Sequence, residues 1–114
     1  MSIRQWLAAL ASALLASCAY VDATTTQYIG VPRFPVGDPA AVQVLQSEPM
    51  RTHDRLGEIL LDISVEPPPD VSEVEQRLKQ EAASWGANAV LVVRDQVMPG
   101  VGRKLIGVAI RFRS

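Results

Sequence analysis

Apolar positions change their period several times along the chain, and each change predicts an element. Trp6 to Ala16 is apolar throughout except for Ser12. From Asp22 to Ala41 the apolar residues scatter among Thr24, Thr25, Thr26, Pro32, Pro35, Gly37, Asp38 and Pro39 and form no face. That composition predicts an extended tether, the alternative being that Thr25 to Ile29 adds an edge strand. Beyond it Val42 and Val44 flank Gln43, a short strand signal, and the turn-like Ser47-Glu48-Pro49 follows. From Glu58 to Val65 the alternation is stronger. Ile59, Leu61, Ile63 and Val65 share one face, while Glu58, Asp62 and Ser64 help form the other.

Pro67-Pro68-Pro69 ends that strand, because proline has no N–H to give to a ladder and disfavours helix in its predecessor. The period then becomes helical: Val71, Val74, Leu78, Ala82 and Trp85 fall on one stripe. Asp70 with Glu73, or Ser72 with Glu75, predicts a capping box. Glu73 with Arg77 and Glu75 with Lys79 are spaced to pair on the wet side. Gly86 predicts a left-handed stop. Ala89 to Val93 is continuously apolar, as in a central strand. After Pro99-Gly100-Val101-Gly102, residues Lys104 to Arg113 alternate again. Ile106, Val108, Ile110 and Phe112 lie on one face, and Leu105, Gly107, Ala109, Arg111 and Arg113 on the other.

The predicted fold is therefore α+β in the order β-β-α-β-β, one small mixed sheet with a single helix on one face. A right-handed helical crossover makes the strands on either side of the helix parallel, and a hairpin returns the last strand antiparallel. We expect the helix to pack through Val74, Leu78 and Trp85 on the face of Ile106, Val108 and Ile110. The face of Leu105, Gly107 and Ala109 is then expected to be open for self-association or a partner, rimmed by Arg111 and Arg113.

The apolar run near the N-terminus changes the picture from a fold to an address. Arg4 precedes it, and it is too short for a spanning helix, which needs about 20 apolar residues. Arg4 and the run after it read as a secretory signal. The run ends in Leu15, Ala16, Ser17 and Cys18, which resembles the lipobox of bacterial lipoproteins. In that resemblance the thiol accepts a diacylglyceryl group, small neighbours admit the peptidase, and cleavage frees the Cys18 amine for further acylation. Three segments follow: signal peptide 1–17, lipidated N-terminus and tether 18–41, and a small domain 42–114. The same resemblance implies, for a Gram-negative lipoprotein, that Asp directly after the acylated Cys retains the protein at the inner membrane; with Ala19 there, it implies the outer membrane, facing the periplasm.

A chain of 114 residues has room for one small domain, which excludes multi-domain enzymes, solenoids and motors. Eleven Lys and Arg against twelve Asp and Glu give no basic excess for nucleic acid. One Cys and one His leave no internal disulfide, no zinc cluster and little acid–base chemistry. His53 and Asp54, near Glu48 and Glu58, fall short of a metal ligand set. No nucleophile elbow or phosphate loop is present, so we expect no catalytic residues, no metal and no cofactor. Arg94, Arg103, Lys104, Arg111 and Arg113 against Asp95 make the last hairpin basic, a possible binding patch for lipid phosphate, acidic cell-wall groups or an acidic protein. The opposing reading is a solvated strand edge guarded by charge.

Leu56-Gly57-Glu58-Ile59, the junction from Glu81 to Val90 and Gly107-Val108-Ala109-Ile110 resemble a group of small bacterial lipoproteins of uncharacterised activity. More distantly they resemble the YbjQ-type heavy-metal-binding domain and the RcsF-type envelope-stress sensor domain, over about residues 42 to 113. The resemblance implies an α+β domain in an envelope lipoprotein. The expected function is non-enzymatic, in binding, structure or stress sensing, with the bilayer, an envelope protein or cell wall, or a second copy as partner. A periplasmic metal-binding module and a cell-wall or phospholipid-binding module are the alternatives.

Overall fold

In a computed structural model, which describes residues 18–113, the chain forms β1 (Val21–Gln27), a single 3-10 turn (Pro39–Ala41) and β2 (Gln43–Leu45). β3 (His53–Ile63), α1 (Val71–Ser84), β4 (Ala89–Met98) and β5 (Gly102–Phe112) follow. The five strands make one sheet in the order β1-β3-β5-β4-β2. β5 is antiparallel to both β3 and β4, so those two point the same way, as the crossover requires, with β5 inserted between them. β2 runs parallel to β4 at one edge, and β1 runs antiparallel to β3 at the other. The fold is α+β with one helix on a mixed sheet, as the periodicity predicts.

The helix covers the other face of β5 from the one expected. Val74, Leu78, Ala82 and Ala83 of α1 share a core with Ile59, Leu61, Ile63, Val90, Leu105 and Ala109. The reason is the register. Ile59 faces Gly107 and Leu61 faces Leu105 across the β3–β5 ladder, so the large residues of β3 flank a small central strand and leave a trough for the helix. A Cβ at Gly107 would lie 2.8 Å from Val90 Cγ2 and 3.1 Å from Leu78 Cδ1, so the glycine is what lets Leu78 seat on the sheet. Val108 and Ile110 instead join Ala89 and Leu91 in a second cluster on the opposite face, flanked by Tyr28, Leu45 and Phe112. The surface of Leu105, Gly107 and Ala109 is buried beneath α1 and is not the open face expected.

Residues 18–41 also differ from the expected tether. Val21 to Gln27 pairs along its whole length with β3, beginning four residues before the edge strand considered as the alternative. Val21 and Ala23 pack on the core, and the three threonines are β-branched residues suited to an extended backbone. An edge strand needs one ladder and half a buried face, so its polar residues carry little cost. The following segment stays on the domain: Val31 and Phe34 pack against the core, and the Gly37 amide donates to the Ala83 carbonyl at 2.8 Å. The folded unit therefore begins at Val21, not Val42.

Local signals are refined in the same way. Gly86 ends the helix with φ +76°, as predicted. The capping box does not form: the Asp70 side chain makes no cap bond, and its carbonyl receives the amides of Glu73 and Val74. Arg77 pairs with Glu81 at 3.0 Å. β3 starts five residues earlier than the alternation indicates because the ladder shifts register between Arg55 and Gly57, which breaks the period there.

Candidate functional site

Three features are candidates: the chain start at Cys18, the charged cluster around His53, and the arginines of the last hairpin. Leu15, Ala16 and Ser17 lie outside the described residues, and Cys18 is the first of them. Cys18 is exposed. Two residues later the chain is fixed. The Tyr20 amide donates to Ser64 Oγ at 2.9 Å, the Ser64 amide donates to the Tyr20 carbonyl at 3.1 Å, and Ser64 Oγ donates to the Pro67 carbonyl at 2.8 Å. Ser64 is the one buried polar residue among the described residues, and it holds Tyr20 to the end of β3. Among the described residues no helix is long and apolar enough to cross a membrane.

At the opposite end of the sheet, His53 Nε2 lies 2.9 Å from Glu48 Oε1, and His53 Nδ1 lies 2.6 Å from the Arg51 carbonyl. Arg55 donates to the other oxygen of Glu48 at 2.6 Å. The hydrogen bonds from Arg55 and then His53 hold the Glu48 carboxyl below its ordinary range. Both imidazole nitrogens and both oxygens of Glu48 are therefore engaged within the chain. Asp54 turns away to Arg113 at 2.5 Å. Among the described residues, no three His, Cys, Asp or Glu side chains are placed to hold a metal ion. The cluster's geometry is that of a fastener between the β2–β3 loop and β3.

The five basic residues of the hairpin are not brought together. Arg103 sits on the helix side in a bidentate pair with Asp95, at 2.6 and 2.7 Å. Lys104, on the opposite face, is paired with Asp62. Arg111 and Arg113 lie near the far end of β5. Arg111 donates to the Gly86 carbonyl at 2.7 Å and stacks over the Phe34 ring, and Arg113 holds Asp54. Arg94 is exposed on β4, at the register shift between Val92 and Arg94. Three of the five thus neutralise carboxylates and a fourth fastens the Phe34 segment, so the group has the geometry of cross-strand ties. Sequence alone shows the charges but not the register that pairs them.

These ties give a pH dependence. The hydrogen bonds from Arg113 and Arg103 hold Asp54 and Asp95 below their ordinary range, as Arg55 and His53 do for Glu48. Each carboxyl takes up a proton less readily folded than unfolded. Their stabilisation is therefore complete above the unfolded carboxylate range, near pH 4, and is lost as pH falls through the lower folded values. The thermal midpoint is expected to stay level from pH 7 to 5 and decline below about 4, with a shallower decline in Asp95→Asn. Since the pairs are solvent-exposed, the effect is small and screened by salt. A midpoint that rose on acidification would contradict it.

The sequence reading misses an apolar end. Tyr20, Val65, Val97 and Val101 are each about half exposed or more, at 47%, 46%, 56% and 68%. They come from three separate stretches of sequence, and the ladders bring them to the same end of the sheet, the one that carries Cys18.

No protein-family model matches the chain, and no curated protein does. Among solved structures it is similar to a Francisella virulence factor, FvfA, determined in an orthorhombic crystal form. The TM-score is 0.56 and the identity 16%, over 83% of this chain and all of that one. At that identity the likeness is one of fold.

Proposed function

We propose that the protein is an envelope lipoprotein, acylated at Cys18 and held at the outer membrane facing the periplasm. Its α+β domain acts there as a non-enzymatic module for binding, structure or stress sensing. The observation that carries the reading is the agreement between the lipobox and the fold. The residue at which processing would begin the mature chain is exposed and lies two residues before the hydrogen bonds that start the folded unit. Cleavage before Cys18 would leave every described residue of the domain in place, and the acyl chains would extend from the end of the sheet that carries the exposed Cys18. Two or three acyl chains hold a protein firmly where one binds only marginally.

The same geometry changes the expected spacing. With Tyr20 fixed to Ser64, only Ala19 separates it from the anchor, so the reach is about 7 Å, against roughly 65 Å for a tether of twenty residues. In this reading the domain rests on the membrane. The phospholipid and cell-wall alternative through the arginines has less support, because their charge is largely spent on cross-strand pairs. The metal-binding alternative has none in the geometry of His53.

Metabolic labelling with an acyl-chain probe tests the assignment. Cys18→Ala is expected to abolish the label and leave an unprocessed precursor. Equal labelling of the wild-type and substituted proteins would overturn it.

A further inference from the structure

We propose that the Cys18 end of the domain is itself a membrane-contact surface, in which Tyr20, Val65, Val97 and Val101 settle among the lipid headgroups beside the acyl chains. The inference rests on the lipid anchor proposed above and adds a second, non-covalent attachment.

The sheet register carries it. Val21, Ile63, Arg103 and Val97 form one row across four strands. Tyr20 and Ser64 extend that row by one residue, level with the last β4–β5 pair, Met98 and Gly102. Cys18 lies two residues past Tyr20, and the turn Pro99 to Val101 reaches a similar distance past Met98 and Gly102. The anchor and the hairpin tip therefore stand at nearly the same height, with adjacent strands about 4.8 Å apart between them. A bilayer that receives the acyl chains of Cys18 meets the hairpin tip at the same level.

The chemistry of this end suits the interface. Between Val65 and Val97 the surface dips into an open hollow of about 470 Å³, walled also by Pro68 and Pro69. The basic residues nearby are closed into the Arg103–Asp95 and Lys104–Asp62 pairs, and the exposed carboxylates Glu66 and Asp70 would repel an anionic surface, so the attraction is apolar and does not call for anionic lipid. Tyr20 has an apolar ring and a polar tip, the type enriched at membrane interfaces. The other strongly exposed apolar side chains off the helix and sheet, Ile29, Val36 and Met50, sit in the 28–38 segment and the β2–β3 loop.

The test uses the mature lipidated protein in phosphatidylcholine vesicles carrying bromine on the acyl chains near the headgroups. In V101W the introduced indole is expected to shift its emission to the blue and lose most of its intensity. V97W is expected to do the same from the neighbouring strand. The unsubstituted protein reports Trp85, which lies by Gly57, six residues along β3 from its Ile63 end, and is expected to keep its emission. Protein that floats with the vesicles while neither introduced indole is quenched overturns this inference and leaves the anchor standing. Protein that carries no acyl label and does not float overturns both. Quenching that appears only with anionic vesicles overturns the apolar contact in favour of the arginines.

Discussion

Replacing Leu78 by Ala is expected to cost about 2–5 kcal/mol of folding stability. Leu78 is 2% exposed and stands at the centre of α1, over Gly107 and beside Val90. The cost has two parts, the lost transfer of the isobutyl group from water and the cavity left behind. The cavity part is large here because the floor beneath Leu78 is glycine, with no side chain to swing into the space, and β3 and β4 are fixed by ladders to β5. Small domains have little stability to spare, so such a loss consumes a large share of it. Urea unfolding of the soluble domain measures the effect as a lower midpoint at unchanged slope. A shift worth less than about 1 kcal/mol would show that the helix does not bear on the sheet through Leu78.

Gly86→Ala is expected to cost about 2–5 kcal/mol by a different route. Gly86 holds φ +76°, where an L side chain is strained by about 1–2 kcal/mol. An added Cβ would also meet Phe34 Cβ at 2.5 Å and the Pro35 carbonyl at 2.6 Å. One of those contacts is backbone, so relief requires moving the segment that lies against the helix terminus. Overpacking of this kind costs about 1–3 kcal/mol more. That segment is held by the Phe34 ring under Arg111 and by the Gly37 amide on Ala83. Displacing it would expose the chain around Arg33. Faster tryptic cleavage after Arg33, together with a lower unfolding midpoint, is the expected result. A destabilised variant cut no faster there would confine the effect to backbone strain, and an unchanged midpoint would contradict the conformation at Gly86.

The outcomes for β1 and for the helix face have a common cause. Alternation along Lys104 to Arg113 correctly separates the two faces of the last strand, since side-chain direction in a strand is a local property. Which face receives the helix is decided by the neighbours. Isoleucines and leucines of β3 border the Gly107 row, and only the small face of β5 leaves room for α1. β1 is likewise undetermined by its own residues. Val21, Ala23 and the three threonines lack the apolar content to fold alone and become a strand because β3 offers an unpaired edge. The charged residues follow the same division: each is visible in the sequence, whereas the pairing of Lys104 with Asp62 spans 42 residues of it.

The sequence by itself determined the α+β class, the helix and its stop at Gly86, the breaks at the prolines and the order of the elements after Ala41. These depend on backbone preference, side-chain period and short motifs, which act over a few residues. Tertiary structure alone decided that β5 lies between β3 and β4, that the helix covers the glycine face, that residues 21–27 close the sheet, and that Arg103, Lys104 and Arg113 pair with Asp95, Asp62 and Asp54. It also brought Tyr20, Val65, Val97 and Val101 to the sheet end where the described chain starts. Each of these is a relation between distant residues, set by ladder register and by the volume left between packed elements, and local pattern carries no information about either.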